Sequence, residues 1–212
     1  STLSGFTPEG IWWNNNLFWI VATSALRRYT YTRNSLRLIS TVSISGLYSG
    51  WQGCDGIVGD GARIWIVASR LRSSRVWLQI AELNRSGSII QDNGLTLQKG
   101  SGSDFRDITY NGANLITFRN NGTNNIFEYW CPVDLTLIRS VVHSGDRFGI
   151  SWGGRDIAAT TQTGAIANVG TGGVSDKPNS AANSTDVRGL CHMSDEVQYP
   201  DGGRFLAIVH NT

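Results

Sequence analysis

Residues 56–67 read GIVGDGARIWIV. A short apolar stretch runs into Asp60-Gly61, and a second apolar stretch leaves it. Asp or Asn followed by Gly tolerates φ > 0 at little steric cost, so this segment predicts a β-hairpin. The same pattern returns four times without gaps: GIWWNNNLFWIV at 10–21, DITYNGANLITF at 107–118, GISWGGRDIAAT at 149–160 and VQYPDGGRFLAI at 197–208. With the second residue of each as an anchor, the series is Ile11, Ile57, Ile108, Ile150 and Gln198, spaced 46, 51, 42 and 48 residues apart. The returning strand of the first unit, LFWIVA, is nearly all apolar, so both of its faces are expected to be covered.

More strand-like sequence follows each of the first three hairpins. ALRRYTYT, SSRVWLQI and NNIFEYWC are rich in β-branched and aromatic residues, and LRLISTVSISG, GSIIQDNGLTL and LTLIRSVVHSG come after them. No amphipathic helix of ten residues or more is legible. A unit of four short antiparallel strands recurring at about 45 residues is the signature of a β-propeller. A β-sandwich of irregular hairpins explains many short strands, but not five gapless matches at near-constant spacing.

The expected fold is therefore all-β and propeller-like, with about five repeats in one domain over residues 1–212 and the last repeat incomplete. The fifth unit ends at Thr212 after two strands, and only STLSGFTPE precedes the first. A closed five-bladed ring with a thin last blade, a fragment of a longer chain, or chains completing one another in a homo-oligomer would each satisfy the exposed edges. In the fourth unit, residues 171–186 lack periodicity and read as a long loop, with VRGLCHM as the outer strand after it.

Composition narrows the function classes. The net charge is +2, too small an excess for a nucleic-acid binder. No apolar run approaches the roughly 18 residues of a membrane span, so no membrane insertion is expected. Cys54, Cys131 and Cys191 are scattered and form no CxxC, so they read as small buried hydrophobes rather than metal ligands. No HExxH, EF-hand loop or GxSxG elbow occurs. Neither a cofactor nor a metal is expected, and no catalytic residue is assigned.

The candidate ligand-binding residues fall into two groups. Trp51 sits in LYSGWQG beside Tyr48, in a link between units, where a tryptophan and a tyrosine could form a stacking platform. Glu9, Asp55, Asp107 and Glu196 each precede an anchor, which would set them near one mouth of a propeller's central channel. A ring of acids there could bind a cation or sugar hydroxyls. It could equally cap turns. His192 joins them through CHMSDE, beside Asp195 and Glu196. Trp19 and Trp65 occupy one position in units one and two and are expected in the core between blades.

GIVGDGARIWIV with VWLQIAELNRSGSII, and NGANLITF with LTLIRSVVHSG, resemble generic β-propeller repeats. The low-lysine texture rich in Asn, Gly, Ser and Thr also resembles receptor-binding domains of phage tails and small secreted lectins. These resemblances imply a module that binds rather than catalyses. It would attach to a cell-surface glycan or receptor, on a virion surface or outside the cell. The alternatives are a glycan-degrading enzyme with carboxylates at the central mouth, and a purely structural protein of a virion or similar assembly.

Overall fold

The hairpins that the repeat predicts in the first four units are present in the computed structural model. It describes residues 7–14, 16–22, 25–32, 35–44, 53–72, 75–93, 96–98, 104–120, 124–143, 149–152, 157–160, 166–170, 173–176, 187–193 and 204–209, with backbone alone from 151 onward. Three complete four-stranded antiparallel meanders stand out. The first is β1 (Gly10–Asn14), β2 (Leu17–Ala22), β3 (Ala25–Thr32) and β4 (Ser35–Ser43). The third is β10 (Asp104–Tyr110), β11 (Leu115–Asn120), β12 (Asn125–Trp130) and β13 (Leu137–His143), and the fourth is β14 (Ile150–Trp152), β15 (Ile157–Thr160), β16 (Ile166–Gly170) and β17 (Gly173–Asp176).

The second sheet runs β5 (Gly53–Gly59), β6 (Ile64–Arg72) and β7 (Arg75–Leu83), with its outer edge split into β8 (Ile89–Asp92) and β9 (Thr96–Gln98). Asn93 stands just past β8 and continues the pairing there. Its N–H donates to the Ile80 carbonyl at 3.1 Å, and its Oδ1 accepts the Ile80 N–H at 2.8 Å.

Anchor register is identical in four blades: Ile11 faces Ile20, Ile57 faces Ile66, Ile108 faces Thr117 and Ile150 faces Ala159. The turns of blades two and three are built alike. Asp60 Oδ1 accepts the N–H groups of Ala62 and Arg63 at 3.0 and 2.7 Å, and Asn111 Oδ1 accepts those of Ala113 and Asn114 at the same two distances. Gly61 and Gly112 follow with φ of 94° and 89°. Blade one closes more tightly, between partners Asn14 and Leu17, with Asn16 at φ 62°.

Burial follows the two-residue period of a strand. Trp19 and Val21 pack with Ile57, Ile64, Ile66 and Ala68 between blades one and two. Trp65 and Val67 pack with Ile108, Leu115 and Trp130 between blades two and three. Ile116, Phe118 and Phe127 meet Ile150 between blades three and four. Phe18 and Ile20 turn to the other side of blade one. The second strands of blades one to three are thus buried on both faces, and Trp19 and Trp65 occupy the inter-blade core as expected.

The inner strands stand side by side and run in one direction. A Cβ added to Gly10 would come within 2.6 Å of the Gly56 Cα, and one added to Gly56 within 2.8 Å of the Ile108 nitrogen. Backbones approach too closely there for any side chain. Gly56→Ala is expected to cost about 1–3 kcal/mol by overpacking, read as a lower urea midpoint at unchanged slope.

The fifth unit differs from the gapless alignment. β18 (Val187–Met193) pairs with β19 (Arg204–Val209), and β18 lies beside both β14 and β1. VRGLCHM is therefore an inner strand and not the outer strand of unit four. That outer strand is β17, inside the stretch read as a loop at 171–186; residues 177–186 lie outside the described ones. Leu190 replaces Gln198 as the fifth anchor. Asp201-Gly202 imitates a hairpin turn, but the segment before it contains Pro200, which has no N–H to give to a ladder. The run 187–193 contains no proline and supplies the ladder to β19.

Candidate functional site at the leading ends of the inner strands

Three of the inner strands share an irregularity where they begin. The β5–β6 register slips between Cys54 and Gly56, the β10–β11 register between Phe105 and Asp107, and the β18–β19 register between Val187 and Gly189. Each slip leaves one residue over: Asp55, Arg106 and Arg188. In blade one the Glu9 N–H donates to the Val21 carbonyl at 2.9 Å, and Val21 is also the partner of Gly10. Glu9 is thus the equivalent residue of blade one. A β-bulge bends its strand and re-aims a side chain, and bulges concentrate beside active sites.

Five tripeptides encode this position: Glu9-Gly10-Ile11, Asp55-Gly56-Ile57, Arg106-Asp107-Ile108, Phe148-Gly149-Ile150 and Arg188-Gly189-Leu190. The pattern is a residue to present, a small residue for close approach, and an apolar anchor. Its last member was hidden by the wrong fifth anchor. Arg106 and Arg188 were not singled out from sequence, although charged-Gly-apolar was the available signal.

The carboxylates differ in environment. Asp55 is half-buried, and its Oδ2 accepts the Ser69 hydroxyl at 2.7 Å. Glu9 is half-buried as well. Asp107 is 1% exposed. Its Oδ1 accepts the N–H of Ile108 at 2.9 Å, and its Oδ2 reaches into blade four to accept the N–H of Ile150 at 3.0 Å. Asp107 stands where Gly10, Gly56, Gly149 and Gly189 stand in the other blades, and it ties two blades together.

His192 lies in inner strand β18 opposite Phe205, not in an outer strand. Tyr48, Trp51 and Glu196 lie outside the described residues. Burial pushes the Cys54 thiol pKa far up, and the neighbouring Asp55 charge adds to that, so this thiol is not a nucleophile. Among the described residues no three His, Cys, Asp or Glu side chains stand together as metal ligands, and no helix is long and apolar enough to cross a membrane.

No protein-family model matches the chain, and no curated protein matches it. Solved structures do. A glutaminyl cyclase of Myxococcus xanthus is 13% identical with a TM-score of 0.54, over 95% of this chain and 85% of its own. The Dos1 propeller is 12% identical with a TM-score of 0.52, over 96% of this chain and 55% of its own. A periplasmic gluconolactonase of Pseudomonas aeruginosa, PpgL, is 11% identical with a TM-score of 0.51, over 81% of this chain and 56% of its own. The chain thus spans little more than half the length of the latter two.

At such identities the likeness shows the fold, a propeller-like all-β architecture. It also corrects the expectation of a carbohydrate-recognising attachment module that does not catalyse. The two of these structures named for an activity are a glutaminyl cyclase and a gluconolactonase, not lectins or viral receptor-binding proteins. The phage-tail and lectin resemblance rested on composition, and abundant Asn, Gly and Ser follow from turns in any hairpin-rich chain.

Proposed function

We propose that this chain is a five-bladed propeller, closed where β18 meets β1, and that it is an enzyme acting on a small hydroxylated molecule. Its site is the leading end of the inner strands. One observation carries the reading: a bulge recurs where three inner strands begin, with a carboxylate in blade two and an arginine in blades three and five, and Glu9 holds the aligned position in blade one. A purely structural repeat has no reason to keep a bulge with charged residues next to its tightest packing.

The chemistry such a site suits is hydrolysis of a small cyclic ester, as named for the P. aeruginosa enzyme. Asp55 or Glu9 takes a proton from water as it attacks the ester carbonyl, and the ring oxygen leaves with a proton to give a hydroxy acid. Arginine charge at neighbouring register positions suits the oxyanion that develops. A periplasmic or extracellular location accords with the same relative.

The test is acid release from a panel of sugar-acid lactones, glucono-1,5-lactone among them, measured against buffer alone. Asp55→Asn and Glu9→Gln are expected to lower kcat by roughly 10²-fold each, the lower range for general acid–base groups. No turnover by folded protein across the panel, or turnover indifferent to both substitutions, would sink the proposal.

A further inference from the structure

A cavity lies at the opposite ends of the inner strands, beside the hairpin turns of blades one and two. Its volume is about 180 Å³, and its walls include Trp12, Asn14, Trp19, Arg28, Ile64 and Arg85. A dry cavity of roughly 150 Å³ holds a benzene ring, so this one has room for one aromatic ring or a small fused pair.

The walls are built rather than incidental. The Trp12 and Trp19 ring centroids are 5.9 Å apart with an interplanar angle of 39°, so the two indoles splay instead of stacking. Trp12 is held because Gly59 leaves space for it; a Cβ there would lie 2.4 Å from Trp12 Cη2. The Arg28 guanidinium lies 5.3 Å from the Trp19 ring centroid, and its Nε donates to the Ser40 hydroxyl at 2.6 Å. Arg85 joins the wall from blade two, its Nη2 3.5 Å from the Gly61 carbonyl of the same blade. Gly61 and Ala62 form a low rim.

Charge decides the occupant. The cavity wall contains two arginines and no Asp or Glu. Among the described residues neither Arg28 nor Arg85 takes part in a salt bridge. Two guanidinium groups beside two indoles offer hydrogen bonds to an anion and flat apolar surface to a ring.

We infer that this inter-blade cavity binds a small planar aromatic anion, of the aromatic carboxylate class. The ring lies against the splayed tryptophans, and the carboxylate meets Arg28 and Arg85. This site is separate from the carboxylate end of the inner strands and does not depend on lactone hydrolysis.

Calorimetric titration of the folded chain with 2-naphthoate, and with 2-naphthamide as its neutral counterpart, tests it. Saturable binding of the carboxylate is expected, with the amide at least tenfold weaker. Arg28→Gln and Arg85→Gln should each weaken the carboxylate about tenfold. Ala62→Phe, which fills the rim and leaves both charges in place, should abolish binding while circular dichroism stays that of the wild type. Absence of saturable binding up to millimolar concentration, equal binding of acid and amide, or indifference to all three substitutions would overturn the inference.

Discussion

Arg119→Met is expected to destabilise the fold by about 3–5 kcal/mol at pH 7, the usual cost of leaving one member of a buried ion pair alone. Arg119 on β11 and Glu128 on β12 meet between neighbouring strands of blade three, Nε to Oε1 at 2.9 Å, with side-chain exposures of 13% and 3%. The other Glu128 oxygen, Oε2, is buried without a hydrogen-bond partner, so the arginine carries much of the compensation for that charge. Burial pushes the Glu128 pKa above its ordinary 4.5, and Arg119 pulls it partly back. The folded state therefore holds this proton more tightly than the unfolded chain. Stability is lost as pH rises from the unfolded value through the folded one.

Removing Arg119 takes away the opposing pull and extends that window upward. The penalty of Arg119→Met should accordingly shrink as the pH is lowered, because protonation of Glu128 removes the uncompensated charge. Urea midpoints at pH 5 and pH 7 read this directly. The double change Arg119→Met with Glu128→Leu should recover most of the loss, since an apolar pair of similar volume removes the desolvation cost as well. An equal penalty at both pH values, or no recovery in the double variant, would show that the pair is not what holds blade three.

Much of the fold is legible because the hairpin unit combines two strong local signals. Turn chemistry at Asp60-Gly61 and Asn111-Gly112 fixes where the chain reverses, and apolar residues on both sides of β2 and β6 fix which strand is central. Both signals fail in the last unit for one reason. Pro200-Asp201-Gly202-Gly203 has the chemistry of a turn, yet strand pairing is decided by which neighbouring segment offers a full ladder. The run 187–193 does so without a proline.

The carboxylates ahead of the anchors were legible as a set, but not their unlike fates. Asp55 keeps partial access to solvent, whereas Asp107 is drawn into backbone hydrogen bonds. That difference depends on how closely the next inner strand approaches, which no local pattern reports. The cavity between blades one and two was illegible for a related reason. Trp12 and Trp19 are adjacent in register, but Arg85 joins them only through packing between blades. Function was least legible of all, because a fold built of repeated hairpins hosts many chemistries.

Asp107→Ala is the second substitution expected to cost several kcal/mol. The carboxyl group accepts two N–H groups in an interior from which water is excluded, one from Ile108 and one from Ile150 of the next blade. Alanine has no acceptor, and each orphaned buried donor costs about 1–3 kcal/mol, so the total for two is about 2–6 kcal/mol. For a domain of this size that lowers Tm by on the order of 10 °C. Asp107→Asn keeps one acceptor oxygen and should fall between wild type and alanine.

Asp107→Gly discriminates further. Glycine is what blades one, two, four and five carry at this position, so if close approach alone mattered, it would be harmless. The bond to Ile150 predicts instead that glycine is as damaging as alanine, with a further loss from the freer unfolded backbone. The damage should concentrate where blade three meets blade four, so amide exchange in 150–160 should accelerate more than in 64–68. Glycine tolerated with unchanged exchange would show that the carboxyl group only fills space. Glycine as costly as alanine would identify Asp107 as the side chain that fastens the two blades.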